Sequence, residues 1–162
     1  MESLNLELWK ICEELRNKNE RSTIPAIIRE LQKKGIEIND DCIDSILRTQ
    51  THKYSFQEST FPNYVKEFIF ELLKDKKPLS ILDPCAGYGI DIFRLVKKLG
   101  SENSVGIVNN DDAYKTAHLI DENSRINWRL GEPLSTLDRL GEKYDAIVSS
   151  LPYGRTSRIT LS

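Results

Sequence analysis

The chain has 162 residues, 30% of them charged and 39% hydrophobic, with a formal net charge of −2, which fits a globular chain holding one full domain or a small module plus part of a larger one. There is no basic excess of the kind that neutralises phosphates, so any contact with nucleic acid has to be local. Cys12, Cys42 and Cys85 are odd in number and far apart, no stretch is apolar for the length of a membrane span, and the N-terminus lacks the order of a signal peptide; a disulfide framework, a zinc site and export are therefore not expected, and a cytoplasmic location is.

Leu4, Leu8, Ile11 and Leu15 recur at steps of four and three, which predicts an amphipathic helix over about residues 4–18. Thr23 is placed to cap a second helix with Pro25 in its first turn; Ile24, Ile27, Ile28 and Leu31 form the apolar stripe, and Gly35 stops it. A third helix follows Asn39 or Asp40 and buries Ile43, Ile46 and Leu47. Three short helices with a glycine turn between the last two have the form of a helix-turn-helix. The first turn of a DNA-reading helix should face bases and phosphates, yet here it carries Asp40, Asp41 and Asp44. A helical cap or partner surface is the better reading. In the partner reading Trp9 is exposed, whereas ordinary packing puts it in the core.

His52 to Ser59 is polar and turn-rich, which places a boundary between a helical segment, residues 1–55, and a second domain, residues 56–162. Phe61-Pro62-Asn63 opens a helix with apolar positions Val65, Phe68, Ile69, Leu72 and Leu73, expected to pack on the coming sheet. In Ile81-Leu82-Asp83-Pro84-Cys85-Ala86-Gly87-Tyr88-Gly89, a short apolar run ends in an aspartate and crosses a loop with glycines two apart. Ile90, Ile92, Phe93, Leu95, Val96 and Leu99 follow at helical spacing. Such a loop lets a ligand lie against bare backbone, and the helix points unpaired N–H groups at the same place. The third glycine of the dinucleotide fingerprint is missing, since Ile92 stands there, so NAD is weakly supported.

Asp83 to Gly89 resembles motif I of class I S-adenosylmethionine-dependent methyltransferases, in the Asp-Pro form frequent among adenine-modifying DNA methyltransferases. The resemblance implies S-adenosyl-L-methionine as cofactor, held by Asp83, Pro84, Cys85, Ala86, Gly87 and Gly89. In such enzymes of the restriction-modification type, a Thr-Pro element and a helix lie at this distance before motif I and help close over the methionine end. Thr60-Phe61-Pro62 is similar to that element with a phenylalanine inserted, which adds Phe61 and Pro62 to the cofactor-binding set.

Beyond the loop, strand and helix alternate. Ser104–Val108 reads as a strand, Ala113, Ala117, Leu119 and Ile120 as a helix, Ile126 to Leu130 as a short strand, Leu134, Leu137 and Leu140 as a helix, and Tyr144–Ser149 as a fourth strand. That alternation predicts an α/β fold, a Rossmann-like parallel sheet with helices on both faces and ligands at the carboxyl ends of its strands. At the end of the fourth strand, Ser150-Leu151-Pro152-Tyr153 resembles motif IV of amino-methyltransferases, whose usual form is Asn, Asp or Ser followed by Pro-Pro and an aromatic residue. The resemblance makes Ser150 and the carbonyl of Leu151 acceptors for the target amine and Tyr153 the face that stacks on the base, with Pro152 as the motif's remaining catalytic residue. Family members usually end their second strand on an acidic residue that bonds the cofactor ribose; the corresponding stretch here offers Asn109 and Asn110, with Asp111 next. Gly131-Glu132-Pro133-Leu134 resembles motif III, with Glu132 in place of the aspartate that meets the adenine ring.

The resemblance spans about residues 60–154 and implies methyl transfer to an exocyclic amine of a nucleic-acid base, with adenine in DNA favoured and specificity or restriction subunits as partners. Pro152-Tyr153-Gly154-Arg155 also resembles guanine-amine methyltransferases that act on transfer RNA, and the departures at Asn109, Asn110, Ser150 and Leu151 leave open an interaction protein that keeps only the fold. A complete sheet of this family has seven strands, so the chain is expected to be a truncated piece carrying the first four.

Overall fold

The computed structural model describes residues 2–50 and 61–150. Met1–Ser55 and Phe56–Ser162 form two compact units. Among the described residues no helix is long and apolar enough to cross a membrane.

The first unit packs three helices against one another: α1 (Glu2–Asn17), α2 (Ile24–Lys33) and α3 (Asp40–Gln50). Leu8, Ile11, Leu15, Ile27, Ile28, Leu31 and Ile46 are at most 1% exposed and make its core, each contributing roughly 2 kcal/mol by leaving water. The helix starts follow their side chains. Thr23 Oγ1 accepts from the Ala26 amide at 3.4 Å, and Asn39 Oδ1 accepts from the Cys42 amide at 2.9 Å, which settles the third cap on Asn39. Gly35, at φ 73°, takes the left-handed conformation that ends α2. Trp9 stands 58% exposed on α1 and is not a core residue.

The second unit runs α4 (Asn63–Lys74), β1 (Ile81–Asp83), α5 (Ile90–Leu99), β2 (Ser104–Val108), α6 (Asp111–Ile120), β3 (Ile126–Leu130), α7 (Pro133–Leu140) and β4 (Ala146–Ile147). The strands form one parallel sheet in the order β3-β2-β1-β4. Successive side chains of β2 alternate between the two faces. Val105 and Ile107 join Leu82 in a cluster with Leu137, Leu140 and Tyr144, so α7 covers one face. Gly106 looks the other way, onto the Trp128 ring, which also lies near Gly89 and Ala117. The expected parallel α/β sheet, preceded by a helical segment, is the fold observed.

Two expectations need correcting. The apolar stripe of α4 does not enter a core: Phe68 is 63% and Leu72 54% exposed, and the helix lies along α5 rather than beneath the sheet. Its spacing gives an apolar face without saying what covers it. The fourth strand is shorter than the predicted Tyr144–Ser149, because Asp145 turns its backbone and side chain onto Ser80. Asp145 Oδ2 accepts from the amides of Leu79 and Ser80 at 2.9 and 3.0 Å. That clamp fixes the register, and the Val148 amide continues the pairing to the Leu82 carbonyl.

Candidate functional site

The chain order β1, β2, β3 runs outward from β1 on one side, and β4 returns to its other flank. The strand order therefore reverses between β1 and β4, and a parallel sheet opens a crevice at the carboxyl ends of the strands flanking such a point. Asp83 ends β1 there, and Ser149 and Ser150 follow β4.

The loop after β1 is shaped by two glycines with different tasks. Gly87, at φ 55°, has nothing within 4 Å of where a Cβ would stand, so open space lies directly beside the backbone. Gly89, at φ 81°, caps α5, and a Cβ there would meet the Trp128 ring at 2.5 Å. Gly106 is equally constrained, with the same ring at 2.4 Å. The ring is held in place by Asp121, a buried carboxylate that accepts from Trp128 Nε1 at 3.2 Å and from the amides of Arg125 and Ile126 at 3.0 and 2.9 Å. Neither Trp128 nor Asp121 was indicated by a sequence motif; the trace available was a pair of glycines, 89 and 106, in the loop and strand that the indole crosses.

Asp83 is 3% exposed, and burial raises its carboxyl pKa to about 6. The Cys85 amide donates to Asp83 Oδ1 at 3.0 Å and opposes that shift, while the charge of Asp91 adds to it. Burial likewise raises the Cys85 thiol, and the carboxylates of Asp83 and Glu132 raise it further. The thiol is therefore neutral lining at pH 7 rather than a nucleophile. Ser149 Oγ lies buried without a regular hydrogen-bond partner among the described residues, beside Asp83 and Cys85, whose ionised forms it favours. Asp83, Cys85 and Ser149 thus sit together at the end of β1 and β4, within reach of the Glu132 charge. A buried hydroxyl, a buried carboxylate and open space along Gly87 fit a polar ligand carrying positive charge. Among the described residues no group of three or more His, Cys, Asp or Glu side chains is placed to hold a metal.

The expected ribose and adenine contacts look different in place. Asn110 caps α6: its Oδ1 accepts from the Ala113 amide at 2.8 Å and its Nδ2 donates to Asn109 Oδ1 at 3.1 Å. Asp111 sits in the first turn of α6. Glu132 caps α7, its Oε2 accepting from the Ser135 amide at 2.9 Å, a bond that lowers its pKa. The cap signals were readable, since Asn110 precedes two aspartates and Glu132 precedes a proline at the first helical position.

Phe61 and Pro62 come to the same end of the unit. The Phe61 amide donates to Asp91 Oδ2 at 2.6 Å, and Lys66 Nζ lies 3.4 Å from Asp91 Oδ1. Pro84 and Ala86 complete the loop, and the Ala86 amide bonds to the Ile107 carbonyl at 2.9 Å, tying the loop to β2. Thr60, Leu151, Pro152 and Tyr153 lie outside the described residues.

No family model matches the chain. No curated protein matches it. Among solved structures, a protein of Listeria monocytogenes provisionally named a class I S-adenosylmethionine-dependent methyltransferase is similar in fold, with a TM-score of 0.64 at 16% sequence identity. The likeness covers 98% of this chain and 62% of that protein, so the chain spans less than two thirds of its neighbour's length. The parallel sheet and its helices are those of the class I methyltransferase fold.

Proposed function

We propose that the chain is the S-adenosylmethionine-binding part of an amino-methyltransferase acting on nucleic acid, with adenine in DNA as the favoured target within a restriction-modification system. The observation that carries this reading is the buried Asp83 beside Cys85 and Ser149 at the carboxyl ends of β1 and β4, with open space beside Gly87. The cofactor is a cation that becomes a neutral thioether on losing its methyl group. A buried carboxylate at pKa about 6 is ionised at neutral pH and is held ionised more firmly by a cation beside it.

When bound, S-adenosylmethionine supplies an electrophilic methyl group on sulfur. The residues of the chain then have to hold an amine in line and accept its hydrogens. Ser150 and the Leu151 carbonyl take that role, and Tyr153 offers a stacking face for a base swung out of its duplex. Asp83 and the Gly87 loop would hold the cofactor, and by the resemblance Asn109 and Glu132 would serve its ribose and adenine. A second reading, a non-catalytic partner protein, is favoured by one observation: Asn110 and Glu132 both have acceptors committed to helix caps.

The test is transfer of a tritiated methyl group to unmethylated duplex DNA and, in parallel, to unmodified transfer RNA. Incorporation into DNA adenine, lost in Tyr153→Ala with cofactor binding retained, is the expected result. Incorporation into transfer RNA alone moves the target to guanine in RNA. Cofactor binding with no transfer to either substrate, even after Ser150→Asp and Leu151→Pro, supports the partner protein.

A further inference from the structure

The resemblance to motif I enzymes adds Phe61 and Pro62 to the cofactor-binding set, and Asp91 is the residue that holds the Phe61 amide. Asp91 is the second residue of α5, two positions after Gly89. Its side chain is only 12% exposed and faces away from bulk water into the junction between α4 and α5. One oxygen receives the Phe61 amide at 2.6 Å, across 30 residues of chain. The other faces Lys66 Nζ at 3.4 Å, one turn into α4, a pair that is 22% exposed on the lysine side. Arg94, further along α5, adds a second positive charge to its surroundings.

A buried carboxylate is costly to keep unless several groups compensate it. Here the compensation comes from the segment before α4 and from the first turn of α4 itself. Pro62 caps α4 without any side-chain bond of its own, so the start of that helix has no local anchor. Among the described residues, the bond from Phe61 and the charge pair from Lys66 both tie the start of the helix to Asp91, and Lys98 Nζ over the Phe70 ring at 3.8 Å joins the two helices further along. Asp91 in turn cannot shift without moving the N-terminal turn of α5 and hence the Gly87–Gly89 loop. Phe61-Pro62 and the cofactor loop are therefore coupled through one side chain.

We infer that Asp91 is a positioning residue for the cofactor site, setting the Phe61–Pro62 turn against the glycine loop through the Phe61 amide and Lys66. This rests on the proposed binding of S-adenosylmethionine. A charge-assisted bond of this kind is short and directional, and its loss leaves the turn free to drift by the ångström that is enough to spoil a binding geometry.

The experiment uses the 162-residue chain and two readings, amide hydrogen exchange by nuclear magnetic resonance and calorimetric titration with S-adenosylmethionine. In Asp91→Leu, which removes the acceptor, the Phe61 amide should exchange at least tenfold faster while the amides of Val96 and Leu82 keep their protection, and the cofactor dissociation constant should rise at least tenfold. Asp91→Asn retains an oxygen for the amide and loses the charge that Lys66 faces; it covers the case in which the leucine variant does not fold, with about a threefold change in both readings. Unchanged Phe61 exchange overturns the assignment, as does faster exchange with unchanged affinity. A folded native chain that does not bind the cofactor removes the functional reading and this assignment together, whereas native binding with unaltered variants removes this assignment alone.

Discussion

Gly87 and Gly89 stand two residues apart in the same loop, both with positive φ, and the structure assigns them different penalties. Alanine at Gly89 must hold φ near 81° and place its Cβ 2.5 Å from the Trp128 ring. The left-handed conformation costs an alanine roughly 1–2 kcal/mol, and forcing a methyl group against a packed ring costs roughly 1–3 kcal/mol. The ring cannot withdraw cheaply, because Asp121 holds its Nε1 and Gly106 closes its other side. Gly89→Ala should therefore cost about 2–5 kcal/mol. Gly87→Ala meets nothing within 4 Å, so only the strain of roughly 1–2 kcal/mol remains. Urea unfolding followed by fluorescence separates them. The chain has two tryptophans, and a Trp9→Phe background leaves Trp128 as reporter of the unit in question. Equal losses in the two variants, or a larger loss at Gly87, would refute the packing argument.

Asp83 gives a pH dependence with a defined sign. Its folded pKa of about 6 lies well above that of an ordinary aspartate, so the native state binds the proton more tightly than the unfolded chain and its stability falls as pH rises from about 4 to about 6. The whole change corresponds to about 3 kcal/mol; Asp83→Asn should flatten that slope, as read from urea midpoints between pH 4.5 and 7.5. Asp121→Ala leaves the Trp128 indole N–H and two backbone amides without their acceptor and should lower stability by about 3–5 kcal/mol, with a shift in Trp128 emission. Asp145→Ala removes the acceptor for the Leu79 and Ser80 amides at the sheet edge and should cost about 2 kcal/mol, seen as faster amide exchange at Val148 with β2 unchanged.

What could be read from the sequence was local. The β1 loop and α5 are legible because two glycines interrupt an apolar run and the period then changes to that of a helix. The caps Thr23 and Asn39 are legible because their acceptors act three residues along the chain. What could not be read were pairings between distant residues: Phe61 with Asp91, Ser80 with Asp145, and Trp128 with Gly89 and Gly106. Periodicity fails in a different way at α4. It marks Phe68 and Leu72 as one apolar face and is silent on whether anything covers them. Asn110 and Glu132 show two signals competing at one position, a motif place and a helix cap. Their oxygens go to the cap because a helix N-terminus leaves its first amides in need of an acceptor.

The central claim is that the loop after β1 binds S-adenosylmethionine. Calorimetric titration of the 162-residue chain with S-adenosylmethionine, repeated on Asp83→Ala and Gly87→Val, tests it most directly. The account predicts saturable one-to-one binding by the native chain, weakened at least tenfold in both variants with the fold retained by circular dichroism. Binding that is absent from the folded native chain, or equally tight in all three proteins, would contradict it.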